Sequence, residues 1–315
     1  MRRRSPGLRK PKALTKGSRV SVFAPASPAE PQRMAAGIAE LARLGFRATG
    51  SNARLNDAYF ASSANERVDE FVGLLSAANS DALMGLRGGY GSNYMLDGLA
   101  RKKLGSPKCI IGYSDLTSLQ IFLWQKLKWV TFYGPMAAAG FDAGAGKPNG
   151  YDEDSFWSAL SKTDAGWKIP LKGESLGGGV SEGRLVGGCM TLLQTTLGTP
   201  WELNTRGAIL VLEDRAMKPW QVDRALMHLK QAGKLEGVRG IVLGEFPECE
   251  PPVAGSPAVR EVCARILGPL GLPIVFGAPI GHTPRPMLTL PLGAKARLIA
   301  KGEGVLEILE PAVVP

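Results

Sequence analysis

Residues 108–127 read KCIIGYSDLTSLQIFLWQKL. A short apolar run ending at Gly112 turns through Tyr113, Ser114 and Asp115 into Leu116–Leu127, whose apolar spacing is that of a helix. A strand that passes straight into a helix is the local unit of a parallel α/β sheet. The same alternation continues outward on both sides, with strands expected at Arg19–Ala24, Ala82–Leu86, Lys108–Gly112 and Trp129–Tyr133. Between them, helices are expected at Met34–Leu44 and Asn65–Ala77. From Gly140 to Gly183 the pattern gives way to Gly, Pro, Lys and Asp, as in a connection between two folded units. Beyond it, strands are expected at Ala208–Leu212, Gly240–Gly244, Ile274–Phe276, Ala296–Ala300 and Val305–Leu309, with a helix at Trp220–Gln231. The 315 residues therefore divide into an arm (1–16), an N-terminal α/β domain (17–140), a connection (141–182) and a C-terminal domain (183–315).

Charge and composition exclude several function classes. Arg2, Arg3, Arg4, Arg9, Lys10, Lys12 and Lys16 supply most of the net +10, so the arm is expected to be disordered and the body is only mildly basic. That distribution lacks the patterned basic and aromatic surface of a nucleic-acid binder. No apolar run approaches the roughly 20 residues that span a bilayer, and the basic N-terminus is not followed by the apolar segment of a signal peptide. A cytoplasmic protein without membrane or nucleic-acid partners is the expectation. Cys109, Cys189, Cys249 and Cys263 have no CxxC spacing and sit mostly in apolar stretches, which indicates reduced thiols and no metal site.

Ser114 stands where a nucleophile elbow would place it. Such a turn lifts a hydroxyl above the sheet edge and aims the following backbone N–H groups at a developing oxyanion. Leu116 occupies the position where the elbow usually closes with glycine, and an ordinary helix start capped by Asp115 fits the same residues. A serine nucleophile needs a base, and the chain has only His228 and His282. His228 lies about 120° off the Val222–Leu226–Leu229 stripe of its helix, on a surface or flank. His282, in the loop APIGHTPRP, is free to face a cleft or to have no chemical task. Glu213 ends the run AILVLE, where a strand leaves the core. There it can orient an imidazole, or else it or Asp214 can pair with Arg215 or Arg224. RGGYG at Arg87–Gly91 can bring backbone amides close to a ligand, and Arg87 can clamp a carboxylate.

Together these stretches resemble the LD-carboxypeptidase family of serine peptidases, which includes the microcin C immunity carboxypeptidases. The likeness runs through LTKGSRVSVFAPASP, YFASSANERVDEF, LRGGYG, GYSDLTSL, GRLVGGCMTLLQTTLGTP, LVLEDRAMKPWQVDRALMHL and PIGHTPRPMLTLPLGAKARL. The resemblance implies an N-terminal parallel sheet like that of class I glutamine amidotransferases and a smaller β-rich α+β C-terminal domain. It also implies a homodimer that needs no cofactor or metal and removes the terminal D-alanine from the L,D bond of murein tetrapeptides during cell-wall recycling. It maps the nucleophile, acid and base onto Ser114, Glu213 and His282, and the oxyanion hole onto the amides of Gly88 and Asp115. Arg87, Gly89, Tyr90 and Arg285 are the expected substrate-binding residues. Two positions depart from the family pattern: Cys189 follows Gly187–Gly188 where asparagine is usual, and Tyr133 precedes Gly134–Pro135 where histidine is usual. Cleavage of peptidyl or aminoacyl adenylates is the alternative activity. An aromatic stacking on the base would be expected of it, and Gly173–Gly183 contains none. A binding protein that kept the fold without catalysis is a further alternative.

Overall fold

Apolar runs bounded by turn residues become strands, and their pairing produces two sheets. In the computed structural model, which describes residues 7–51 and 59–315, the first half alternates β1 (Arg19–Phe23), α1 (Pro31–Arg43), β2 (Arg47–Thr49), α2 (Ala64–Ser76) and β3 (Ala82–Gly85). It continues with α3 (Leu96–Ala100), β4 (Cys109–Gly112), α4 (Leu116–Leu127) and β5 (Thr131–Tyr133). Then follow α5 (Glu153–Ser161), β6 (Trp167–Pro170), β7 (Glu174–Gly177), β8 (Gly179–Cys189), α6 (Met190–Thr195) and β9 (Ala208–Glu213). The chain closes with α7 (Pro219–Gln231), β10 (Gly240–Leu243), α8 (Val259–Leu267), β11 (Ile274–Phe276), β12 (Leu290–Leu292), β13 (Lys295–Ala300) and β14 (Val305–Ile308).

The first sheet has the order β12-β5-β4-β3-β1-β2. Its expected parallel pairing holds for β2, β1, β3, β4 and β5. The sixth strand corrects that expectation. β12 comes from the far end of the chain and runs antiparallel to β5, with Leu290 opposite Tyr133. Pro291 lies at its centre and cannot donate a ladder bond, which suits an edge strand.

The second sheet runs β6-β14-β13-β8-β9-β10-β11-β7. Its centre, β8-β9-β10-β11, is parallel, while its margins are antiparallel. The second half is therefore mixed α/β, where a β-rich α+β unit was expected. AILVLE and GIVL explain the difference: both strands are buried along their whole length, as strands covered on both faces must be. One apolar core joins the two sheets, taking Val22 and Met84 from the first and Leu185 and Val211 from the second.

The segment read as a disordered arm and the one read as a connection both contribute to this body. Residues 9–14 of the arm are ordered: Ala13 N–H donates to the Val314 carbonyl at 2.7 Å, Leu14 N–H donates to the Leu160 carbonyl at 2.8 Å, and Leu14 is buried. Their partners lie in distant parts of the chain, so no local pattern announces them; Arg2, Arg3 and Arg4 lie outside the described residues. The segment 141–182 carries α5, β6, β7 and the start of β8. Its margin strands β6 and β7 are four residues each, the shortest length over which alternation can be read, so local pattern does not announce them.

Candidate active site

The turn after β4 holds Ser114 at φ +60°, in the left-handed region, while its neighbours continue into α4. For a non-glycine residue this conformation costs on the order of 1–3 kcal/mol and persists only where the surroundings impose it. Leu116 supplies part of that constraint, fully buried in a cluster with Phe23, Leu83 and Ile110. Asp115 does not cap α4 through its side chain, contrary to expectation. Its carboxylate instead accepts a bond from Ser92 N–H at 2.7 Å, and its carbonyl accepts one from the Ser92 hydroxyl at 2.5 Å.

The RGGYG loop closes over the elbow. A Cβ on Gly88 would stand 2.8 Å from both the Cβ and the Oγ of Ser114, so only glycine permits this approach. Ser27, in the loop after β1, fixes the turn by donating its N–H to the Gly88 carbonyl at 3.3 Å and accepting from Tyr90 N–H at 3.1 Å. Behind the loop, the guanidinium of Arg67, 2% exposed, donates to the carbonyls of Pro25, Gly91 and Ser62. Burial pulls the Arg67 pKa down, and the Asp115 carboxylate opposes that shift. Among the described residues, neither the Gly88 N–H nor the Asp115 N–H has an acceptor within the protein.

From the other sheet, β9 delivers Glu213 at the point where the strand leaves the core, with no exposed surface. Its Oε2 accepts from the backbone N–H of His282 at 2.9 Å and lies 2.8 Å from His282 Nδ1. Its Oε1 accepts from the Tyr133 hydroxyl at 2.5 Å. Gly281, at φ +60°, allows the His282 loop to lie against this carboxylate, because a Cβ there would come within 2.6 Å of Oε1. Burial pushes the Glu213 carboxyl up, but the His282 charge and the bonds from His282 and Tyr133 outweigh it and hold the group below the usual range. For His282, burial pulls the imidazole down, while Glu213 and then Asp214 raise it, and the net shift is upward. The alternative pairings of the acid are not adopted: Arg215 pairs with Glu248, and Arg224 lies over the Trp220 ring.

Ser114, Gly88, Gly89, Arg87 and His282 all line one cleft of about 620 Å³ between the sheets. Among the described residues, no hydrogen bond joins the Ser114 hydroxyl to the imidazole. Two expected substrate contacts are not brought to the cleft. Arg285 spends its guanidinium on Glu245, on the Lys172 carbonyl at 3.0 Å and on the Gly277 carbonyl. It thereby braces the His282 loop, because Glu245 also accepts from Thr283. Tyr90 turns outward, 39% exposed, into an aromatic group with Tyr59, Phe60 and Tyr94. The other histidine, His228, is exposed on α7 and meets Gln194 at 2.8 Å.

The sequence model of the LD-carboxypeptidase N-terminal domain matches residues 20–134, and that of the C-terminal domain matches residues 182–298. A probable murein peptide carboxypeptidase of Bacillus subtilis is 35% identical over 92% of this chain and 91% of its own length. The chain belongs to the LD-carboxypeptidase family. It is accordingly a serine-type hydrolase of peptide bonds. The microcin C7 self-immunity protein MccF of Escherichia coli is 30% identical to this LD-carboxypeptidase over 90% of each chain. The structure of MccF in complex with glutamyl sulfamoyl guanosine superposes with a TM-score of 0.83 at 26% identity, covering 96% of this chain and 99% of that one.

The sequence reading missed several residues that shape the site of this LD-carboxypeptidase. Arg33 and Arg215 also line the cleft, but each is paired, with Asp142 and Glu248 respectively. Arg33 sits on α1 among polar residues and reads as a solvated charge, so no local signal singles it out. Tyr133 was noticed only as a departure from the family pattern. Its pairing with Gly112 places it beside the elbow, and only the sheet shows that. Cys189 lies next to the acid with its N–H bonded to Thr117 Oγ1 at 3.1 Å. Burial, then Glu213 and Asp214, push its thiol well up, which keeps it protonated and removes it as a nucleophile. Among the described residues no cluster of His, Cys, Asp and Glu is arranged to hold a metal, and no helix is long and apolar enough to cross a membrane.

Proposed function

We propose that this LD-carboxypeptidase hydrolyses the L,D-peptide bond to the terminal D-alanine of murein tetrapeptides, with Ser114 as nucleophile, His282 as base and Glu213 as the acid that orients it. The observation carrying this reading is the fully buried Glu213 bonded to His282 Nδ1, on the same cleft as a serine held in a left-handed elbow. With Nδ1–H donated to Glu213, Nε2 carries the free lone pair and can take the Ser114 proton. The serine oxygen attacks the carbonyl carbon, and the unengaged amides of Gly88 and Asp115 support the oxyanion. The imidazolium then returns its proton to the departing amine, releasing D-alanine and leaving an acyl-serine. Water, deprotonated by the same imidazole, hydrolyses the ester.

A carboxypeptidase must also recognise a free carboxylate. Arg87 is the cleft arginine that has no carboxylate partner among the described residues; its contact is the Pro28 carbonyl at 3.5 Å. A guanidinium with free donors offers a bidentate fit to a terminal carboxylate. The segment Gly173–Gly183, where the adenylate-cleaving alternative calls for an aromatic to stack on the base, contains none, which favours the peptide. The family's homodimer and cytoplasmic setting accompany this proposal.

Release of D-alanine from a murein tetrapeptide by the intact protein and by Ser114→Ala tests it, with an aminoacyl-sulfamoyl-adenosine as the competing ligand. Loss of turnover in the variant, with weak binding of the nucleoside, is the expected result. Near-normal release by Ser114→Ala would overturn the scheme.

A further inference from the structure

We infer that Tyr133 is a positioning residue that ties the serine elbow on the first sheet to the carboxylate on the second, so that nucleophile and base are held in one frame. The inference rests on the hydrolytic reading above. Tyr133 ends β5 with no exposed surface, and its hydroxyl makes one bond across the junction to the second sheet and one to the elbow beside it in the first sheet. It donates to Glu213 Oε1 at 2.5 Å and accepts from the backbone N–H of Ser114 at 3.4 Å.

The first bond decides the geometry of the acid. Glu213 Oε2 serves His282 through both its ring and its backbone, and the phenol satisfies the oxygen left over. A buried carboxylate oxygen without that donor would have reason to rotate towards another one. The second bond acts on the strained residue: the amide of Ser114 has the phenol oxygen as its acceptor, and that oxygen is itself anchored on Glu213. Packing leaves the ring little freedom. A Cβ on Gly188 would lie 2.9 Å from the Tyr133 ring, and Tyr113 meets it edge-on at 6.3 Å. Burial first, and then Glu213, push the Tyr133 phenol well up, which favours the protonated, donating form.

Tyr133→Phe removes the hydroxyl and keeps the ring. A carboxylate that has lost one donor is a stronger base towards the imidazole, so the imidazolium is favoured and loses its proton at higher pH. The other charged groups near this pair are Asp214 and Arg215 on the His282 side, with Tyr113 and Cys189 nearby, and the substitution leaves all four in place. The expected result is a kcat about 10- to 100-fold lower, the scale of a small misplacement of reacting groups. KM should change little, and the acid limb of kcat/KM should move to higher pH. If this variant does not fold, 3-fluorotyrosine at position 133 keeps the shape, strengthens the donor and should move the acid limb to lower pH.

Ser114→Ala is measured alongside. If it turns over normally, the hydrolytic reading fails and the role of Tyr133 with it. If Ser114→Ala is dead while Tyr133→Phe keeps the parental kcat, the inference about Tyr133 alone is overturned. It is equally overturned if Tyr133→Phe loses melting temperature and activity with the acid limb unmoved, which is the behaviour of a packing residue.

Discussion

The two histidines of this chain make the same kind of bond in opposite surroundings. His228 Nδ1 meets the amide of Gln194 on the open face of α7, a neutral partner at the solvent-exposed surface. His282 Nδ1 meets a carboxylate with no exposed surface, beside an elbow serine and at the wall of a cleft. Hydrogen-bond length does not distinguish the two, since both contacts are 2.8 Å. What does is a charged, desolvated partner that fixes the tautomer and a vacant space for substrate on the other ring nitrogen.

Substitutions sharpen this contrast in descending order of effect. His282→Ala removes the base and is expected to cost about 10⁶-fold in turnover, the scale of losing such a group in a serine enzyme. A loss no larger than tenfold, read by D-alanine release, would place the base elsewhere. Glu213→Gln keeps shape but removes the charge, and should cost about 10⁴-fold. The sign of its pH effect is opposite to that at Tyr133. Glu213 raises the His282 pKa, and the base must be neutral to act. In the parent, kcat/KM therefore rises with pH through an acid limb above about 6.5, the ordinary histidine value. In Glu213→Gln that limb moves down, and a titration that leaves it unchanged breaks the pairing argument. His228→Ala closes the series: its turnover should stay within about twofold, and its stability within about 0.5 kcal/mol by urea unfolding, as for surface positions generally.

Much of the fold and part of the site were legible from local pattern. Local pattern placed the helix Leu116–Leu127 and the strand Ile274–Phe276 at their observed limits, and the other elements it announced within a few residues. Buried strands and amphipathic helices carry their own periodicity, so this is where local reading works. It failed where structure depends on distant partners. β12 supplies an edge to a sheet built by residues more than a hundred positions earlier. The strands β6 and β7 are only four residues each, at opposite margins of the second sheet, and the ordered arm is held by backbone groups of residues 128, 160 and 314. At the site, Arg285 looked available beside the histidine loop, and only the position of Glu245 shows that its guanidinium is already committed.

By itself, the sequence determined that an apolar strand would run into a helix through Ser114, that an acid would stand at the end of AILVLE, and that His282 would sit in a loop free of helical or strand phase. Spacing and polarity along the chain are enough for such statements. The tertiary structure alone decided that Glu213 is desolvated and bound to His282, that Tyr133 joins it to the elbow, and that Arg87, unlike Arg33 and Arg215, has no carboxylate partner among the described residues. These are properties of groups brought together from different sheets, and burial, charge and hydrogen-bond geometry act only once that proximity exists.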